Sequence, residues 1–268
     1  MDTPVSTPQS EISASKPRIR VGIGGWTFEP WRGSFYPAGL SHSKELQYAS
    51  RQLTAIEVNG TYYSTFKPLT FAKWRDDTPE GFVFSLKANR FATHRRVLAD
   101  AGDSIARFVD SGLSELKHKL GPIVWHFMPT KAFDPADFEA FLALLPQQVN
   151  GLRLRHALDV RHPSFATPAF LALARRYGCA PVCTDSDQFP AIADAEADFA
   201  YLRLMRSQRD VATGYTPAAI AQWAEGVRTW TTGERPRDVF VYFINGAKER
   251  APAGAMALLQ QLGMGVRR

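Results

Sequence analysis

The sequence predicts an α/β protein built as a single (β/α)8, TIM-barrel-like domain. Eight short runs of apolar, β-branched or aromatic residues alternate with longer amphipathic stretches along the 268-residue chain. Near-continuous apolar runs are typical of strands buried on both faces, as parallel sheets require. Eight such units within roughly 250 residues are typical of a barrel. An open doubly wound sheet is the alternative, but no Gly-x-Gly-x-x-Gly turn follows a strand here.

The predicted strands share this apolar character and begin soon after residue 18. They are residues 20–24, 55–59, 82–87, 122–127, 156–160, 180–184, 199–204 and 239–244. Helical patterns lie between most of them, at residues 43–53, 103–120, 134–145, 169–177, 218–230 and 253–262. Asp134, Thr167 and Thr216 each precede a proline, which is the signature of an N-cap followed by the first helical turn. The crossover before the seventh strand is short and irregular.

Residues 1–17 are rich in Ser, Thr, Pro and Gln, so they are predicted to form a disordered tail ahead of a barrel domain at 18–268. Cys179 and Cys183 do not form a Cys-x-x-Cys pair and are predicted to be free thiols, which favours a reducing cytoplasm. No apolar run approaches the roughly 18 residues of a membrane helix, so no membrane partner is expected.

The charge balance is mildly basic. Lys plus Arg number 32 and Asp plus Glu number 26, which gives a net charge of +6. The basic residues are dispersed, with no run of five or more, so the balance favours anionic partners only weakly. Nucleic acid stays a possible partner, and the oligomeric state is not predicted.

Polar side chains gather at the ends of the predicted strands, where barrel enzymes carry their chemistry. Glu57 and Asn59 are two residues apart on one strand, and so are Asp159 and Arg161, so each pair faces one side of the sheet. Charged residues are seldom buried unless they are paired or functional. We therefore expect these side chains to meet one another inside the barrel mouth, together with Lys87.

The candidate catalytic residues follow from this placement. Glu57 or Asp159 is the expected general base, and His126, His162 or Lys87 the proton donor or electrostatic stabiliser. The candidate substrate-binding residues are Trp26, Asn59, Tyr62, His94, Arg161, Asp185, Arg203, Asn245 and Lys248.

Each of these residues also has a structural interpretation. Glu57 and Arg161 would form a buried ion pair, His126 would pack in the core, and Asp185 would cap a turn. The aromatic residues of the first two loops would form a lid on the barrel rim. No metal or other cofactor is expected, because inward lysine and arginine side chains would repel a cation; a divalent metal held by carboxylates is the alternative.

Several segments together resemble the YecE-like proteins, a widespread bacterial family of unknown function. They are GGW at 24–26, WRGSFYP at 31–37, EVN at 57–59, YY at 62–63, TH at 93–94, DVRHPSF at 159–165 and YLRL at 201–204. The resemblance spans about residues 18–262 and implies a TIM-barrel-like fold, but no reaction. The family more often has Glu at the position of Asp159, and often Gln in the region of Trp125 and His126.

The sequence therefore favours an enzyme that uses acid–base chemistry on a small anionic, carbohydrate-like substrate at the barrel mouth. Phosphorylated or carboxylated compounds fit the cations best, and a lyase, isomerase or hydrolase reaction is compatible with the candidate groups. Two alternatives stay open. One is binding or processing of nucleic acid, and the other is a barrel that binds a partner without catalysis.

Overall fold

Eight parallel strands close into a barrel in the structure, a computed structural model that describes residues 18–265. The strands are β1 (Ile19–Gly24), β2 (Ala55–Val58), β3 (Val83–Lys87), β4 (Leu120–His126), β5 (His156–Asp159), β6 (Cys179–Thr184), β7 (Phe199–Leu204) and β8 (Asp238–Phe243). Each strand pairs with the next along the chain, and β8 pairs with β1. The predicted fold and its eight strands are confirmed, whereas the predicted disordered tail lies outside the described residues.

The helices surround this barrel. They are α1 (Glu45–Gln52), α2 (Gly60–Tyr63), α3 (Pro68–Asp77), α4 (Arg90–Thr93), α5 (Gly102–Val109), α6 (Pro135–Ala143), α7 (Pro168–Arg176), α8 (Pro217–Thr232) and α9 (Ala251–Gln261). The three predicted N-caps are confirmed: the side chains of Asp134, Thr167 and Thr216 each accept a backbone N–H of the first turn.

The sequence prediction was incomplete for several short elements and wrong for one helix. Helices α2, α3 and α4 and a small hairpin, Gln148–Val149 with Leu152–Arg153, were not predicted. The helix expected at 103–120 instead ends at Val109 and continues after Gly112 as a 3-10 helix. Gly112 has φ 104°, and a Cβ there would lie 2.5 Å from Pro68 Cγ, so the close approach of α3 breaks the helix.

Apolar side chains form two layers separated by the barrel wall. The outer layer joins the barrel to the helices and includes Val58 and Val160, as their position in the strands predicted. The inner layer fills the barrel with smaller residues and four rings from β7 and β8, namely Phe199, Tyr201, Phe240 and Tyr242. These residues make the interior of the barrel a packed core.

Residues 185–198, between β6 and β7, contain no helix. Helix α8 consequently borders an open groove of about 510 Å³. Trp223 and Trp230 of this helix line the groove. No helix within residues 18–265 has the length and apolar character needed to cross a membrane.

Candidate active site at the barrel mouth

Arg203 stands at the centre of a buried charge cluster. Its Nη2 lies 3.0 Å from Glu57 Oε1, and its Nη1 donates to Asp159 Oδ2. All three residues are at most 3% exposed. Burial by itself opposes the charge of Arg203, but the two carboxylates outweigh it and raise the pKa of the guanidinium. The strands β2, β5 and β7 thus meet through one cation shared by two anions.

Glu57 is fully engaged in holding this cluster. Its second oxygen, Oε2, accepts the hydroxyl of Tyr201 at 2.8 Å, and the residue is 0% exposed. Burial, followed by the charge of Glu57, raises the pKa of Tyr201, so the phenol stays protonated and keeps donating. Glu57 therefore positions Arg203 and has no oxygen facing a ligand in the mouth.

His126 is held by Asp159 through a hydrogen bond of 2.7 Å between Nδ1 and Oδ2. Burial favours a neutral carboxyl, but Arg203, His126 and Arg161 outweigh it and hold the pKa of Asp159 well below its usual range. Burial lowers the pKa of His126 to about 4 despite the nearby carboxylate. We infer from this network that the neutral imidazole donates through Nδ1 and carries its lone pair on Nε2. Within residues 18–265, Nε2 has no hydrogen-bond partner and is free to accept a proton.

Lys87 ends β3 inside the same mouth and is 9% exposed. Its Nζ lies 3.9 Å from the centroid of the Tyr62 ring. No carboxylate of residues 18–265 lies within 4.0 Å of this nitrogen, whereas Glu57 and Asp159 pair with Arg203 and Arg161. Burial and the charge of Arg203 lower the pKa of Lys87 to about 8, although both carboxylates act in the opposite direction.

Tyr62 joins two of the predicted residues to this lysine. Its hydroxyl lies 2.6 Å from Nε2 of His94, and its ring centroid lies 5.6 Å from that of His126. Burial raises the pKa of Tyr62 and lowers that of His94. The tyrosine is thereby fixed between the lysine and both histidines.

Arg161 forms the outer edge of the cluster. Its Nη2 lies 3.2 Å from Asp159 Oδ2, and its guanidinium carbon lies 4.5 Å from the centroid of the Phe189 ring. Its Nε is buried without a partner among the described residues. Phe189 also lines a pocket of about 390 Å³ with Arg206 and Asn245, so this pocket and Arg161 share a contact with the Phe189 ring.

Six predicted residues lie outside this group of contacts, and four of them have other roles. His162 Nδ1 accepts the backbone N–H of Ser164 at 3.2 Å, and the side chain thereby caps a short 3-10 helix. Asp185 accepts the Met205 N–H at 2.6 Å and the Tyr215 hydroxyl at 2.7 Å, so both of its oxygens support a turn. The remaining two are Lys248, whose Nζ lies 4.5 Å from the Phe28 ring centroid, and Asn245, whose side chain is exposed.

Trp26 and Asn59 lie on the rim. The Trp26 ring packs edge-on against Trp74 of α3, with centroids 5.2 Å apart, and against Phe84. The amide of Asn59 lies beside Gly24, where an added Cβ would stand 2.9 Å from Nδ2. The aromatic first loop therefore packs on the barrel wall as a rim.

Sequence reasoning missed two contributors to the site. Tyr201 is two residues before Arg203 on β7, so strand parity alone places it on the same inward face. Phe189 belongs to the irregular segment after β6, and no sequence pattern marks it. Among residues 18–265 no three His, Cys, Asp or Glu side chains converge as a set of metal ligands.

Comparison with known proteins places this architecture in context. A family model described as "Protein of unknown function DUF72" matches residues 20–268. The chain is 29% identical over 150 residues to UPF0759 protein YecE of Escherichia coli strain K12 and 27% over 158 residues to UPF0759 protein YunF of Bacillus subtilis strain 168. These matches cover 55% and 57% of this chain and 50% and 54% of the relatives, so the chain spans about half the length of the curated relatives it matches.

A solved structure shares the fold. The crystal structure of a DUF72 family protein from Thermotoga maritima superposes with a TM-score of 0.71. It covers 92% of this chain and 98% of that one, at 22% identity. At this identity the likeness establishes the fold alone.

Proposed function

The chain belongs to the DUF72 family of proteins of unknown function, the YecE-like family, and on that premise we propose that it is a small-molecule enzyme. The reaction takes place at the mouth of the barrel and transfers a proton on a compact anionic substrate, such as a phosphorylated or carboxylated sugar-like metabolite. The observation that carries the proposal is Lys87, a buried lysine at the carboxyl end of β3 whose Nζ has no carboxylate of residues 18–265 within 4.0 Å.

Lys87 and Arg161 supply the charge that binds the anion. Burying a cation without an opposite charge is unfavourable, so an anionic ligand that completes the cluster binds with a gain in free energy. Arg161 keeps donors beyond the one that contacts Asp159, and guanidinium groups suit phosphate or carboxylate oxygens. The adjoining pocket of about 390 Å³ accommodates the rest of a small metabolite.

His126 supplies the general base. Its Nδ1 is held by Asp159, which fixes the ring and the tautomer, and Nε2 carries the free lone pair. This arrangement favours His126 over Glu57 and Asp159, because both carboxylates are already bound to Arg203. Asp159 is therefore a positioning residue for the imidazole.

Ligand titration tests the proposal directly. Calorimetry and thermal unfolding with inorganic phosphate and ribose 5-phosphate are expected to show binding and a raised melting temperature. Replacing Lys87 by Gln together with Arg161 by Gln is expected to weaken binding by about tenfold or more, because two charge-assisted contacts are lost. Lys73→Gln is the control, since Lys73 is 69% exposed and pairs with Asp77 on α3. No binding at millimolar ligand, or equal binding by the double variant, would contradict the proposal.

One observation favours a second candidate function, the binding of single-stranded nucleic acid. Tyr63 and Phe91 are 63% and 60% exposed, and the Arg90 guanidinium lies 5.9 Å and 5.5 Å from their ring centroids. Exposed aromatic rings beside an arginine are suited to base stacking. Anisotropy with a labelled 12-nucleotide DNA at low and moderate salt separates the two functions. Nucleic-acid binding falls steeply with salt and is lost in Tyr63→Ala, Phe91→Ala, whereas binding of a small anion in the mouth is retained.

A further inference from the structure

Lys87 differs from a lysine that only supports the fold. Lys119 provides the comparison: it is 4% exposed, and its Nζ donates to the carbonyls of Arg75 and Thr78 at 2.6 and 2.7 Å. Nζ of Lys87 has neither a hydrogen bond nor an ion pair within residues 18–265, and it rests on the Tyr62 ring. A buried amine at the carboxyl end of a barrel strand, held against an aromatic face and without a hydrogen-bond partner among the described residues, is suited to react with a ligand.

We propose that Lys87 is a nucleophile that forms a Schiff base with the carbonyl carbon of the anionic substrate. The inference rests on the proposed function, because it uses the same mouth, and it adds the substrate class: an aldehyde or ketone that also carries a phosphate or carboxylate. Lysine becomes nucleophilic when it is desolvated or lies beside another cation. Both conditions hold at Lys87, with Arg203 on β7 and Arg161 after β5 as the neighbouring cations.

The protonation state supports this chemistry. The pKa of Lys87 is lowered to about 8, chiefly by burial, so an appreciable fraction of the amine is neutral at neutral pH. The charged groups facing it come from β2, β5 and β7 and the loop after β5, and are Glu57, Asp159, Arg203 and Arg161. The two carboxylates alone would keep the amine protonated, but burial and the two guanidinium groups outweigh them.

The bond changes are balanced without an external reagent. The lone pair of neutral Nζ attacks the carbonyl carbon, a C–N bond forms, and the carbonyl π pair moves to oxygen. Oxygen gains a proton and nitrogen loses one, which gives a carbinolamine. The C–O bond then breaks as oxygen takes a second proton and leaves as water, and the nitrogen lone pair forms the C=N bond of a protonated imine. Release of the remaining N–H proton gives the neutral imine and replaces the proton that oxygen took. A carbonyl and an amine have become an imine and water.

His126 is placed to move these protons. The Tyr62 ring contacts Nζ of Lys87 at 3.9 Å from its centroid and lies 5.6 Å from the His126 ring, and burial together with the charge of Lys87 lowers the pKa of His126. Nε2 of His126 accepts the proton that nitrogen loses and returns it to oxygen. A protonated imine withdraws electrons from the adjoining carbon, so the reaction class is cleavage or isomerisation next to the former carbonyl.

Reductive trapping tests the proposal. The full chain is incubated at pH 7.5 with glyoxylate or with glyceraldehyde 3-phosphate in the presence of cyanoborohydride, and the adduct is located by peptide mass spectrometry. Lys87 is expected to be modified about tenfold or more faster than the exposed Lys44 and Lys67, because more of its amine is neutral. Inorganic phosphate is expected to slow trapping at Lys87.

The variants separate this inference from the proposed function. Lys87→Arg keeps the cation but cannot form an imine, so it should lose the mouth adduct while still binding phosphate. Lys119→Arg, the matched buried lysine, should leave trapping at Lys87 unchanged. Modification of exposed lysines alone would overturn the Schiff base, even where phosphate still binds. Loss of both trapping and phosphate binding in the wild-type chain would overturn the proposed function as well.

Discussion

Nη2 of Arg203 lies 3.0 Å from Oε1 of Glu57, and neither side chain is more than 2% exposed. The same guanidinium binds Asp159, so one buried cation compensates two buried anions. Removing one member of a buried ion pair leaves the partner uncompensated, which is far more costly than losing an exposed pair. The stability of the barrel mouth therefore depends on this arginine.

Arg203→Met is expected to lower the free energy of unfolding by roughly 3–5 kcal/mol at neutral pH. Urea denaturation followed by circular dichroism measures the loss. Arg153→Met is the control, because Arg153 and Asp198 are 78% and 62% exposed, and a surface pair contributes less than about 1 kcal/mol. Similar losses of unfolding free energy in the two variants would show that Arg203 does not stabilise the charge cluster.

Lys87→Met is expected to raise stability at pH 7 while it weakens anion binding. The folded pKa of Lys87, about 8, is below its ordinary value of 10.5, so the folded state releases its proton first as pH rises. The charged lysine consequently costs the folded state up to roughly 3 kcal/mol below pH 8, and this cost vanishes as pH rises to 10.5.

Urea denaturation of wild type and Lys87→Met at pH 7 and at pH 10 tests this sign. The excess in unfolding free energy of Lys87→Met over wild type should be smaller at pH 10 than at pH 7. Lys119→Met should instead be less stable at both values, since it leaves two backbone carbonyls without their donor. A destabilised Lys87→Met at pH 7 would mean that the lysine supports the fold rather than a ligand.

His126 is expected to reduce stability in acid. Its folded pKa of about 4 is below the ordinary 6.5, so the unfolded chain binds the extra proton in this interval. The stability that neutral His126 contributes to the folded state is complete above pH 6.5. It is lost as pH falls toward 4, by up to roughly 3 kcal/mol. The groups that face His126 are Asp159, which favours its proton, and Lys87 and Arg161, which oppose it.

His126→Gln should therefore flatten the decline of unfolding free energy between pH 6.5 and 4. His118→Gln provides the control, since His118 is 57% exposed and pairs with Glu80 on the surface. An imidazole resonance of His126 that titrates near 6.5 by NMR would refute the neutral-base assignment.

Gly22 and Gly226 are expected to respond to alanine in opposite directions. A Cβ at Gly22 in β1 would lie 1.9 Å from the Ala55 carbonyl oxygen, so Gly22→Ala must separate β1 from β2 and destabilise the barrel. A Cβ at Gly226 in α8 would meet nothing within 4 Å. Gly226→Ala should stabilise the helix by about 0.5–1 kcal/mol. Thermal unfolding of the two variants measures both effects. An unchanged melting temperature for Gly22→Ala would contradict the close packing of β1 against β2.

The apolar pattern was sufficient to predict the barrel. Strands buried on both faces need continuous apolar runs, and that requirement acts on neighbouring residues, so it is visible in the sequence. Strand parity also predicted that Glu57, Asp159 and Arg161 face inward while Val58 and Val160 face the helices. Helix α3 was missed, and its packing against Gly112 explains why the following helix ends early.

The sequence by itself determined that Glu57, Lys87, Asp159 and Arg203 lie at the barrel mouth, and only the tertiary structure decided which of them pair and that Asp185 and Lys248 stay outside the cluster. Glu57 and Arg203 are 146 residues apart along the chain, and closure of the barrel brings their atoms to 3.0 Å. Several inward cations could have occupied the two carboxylates, and local pattern contains no information on this choice. The guanidinium of Arg203 binds both carboxylates at once, and the amine of Lys87 has no carboxylate within 4.0 Å among the described residues.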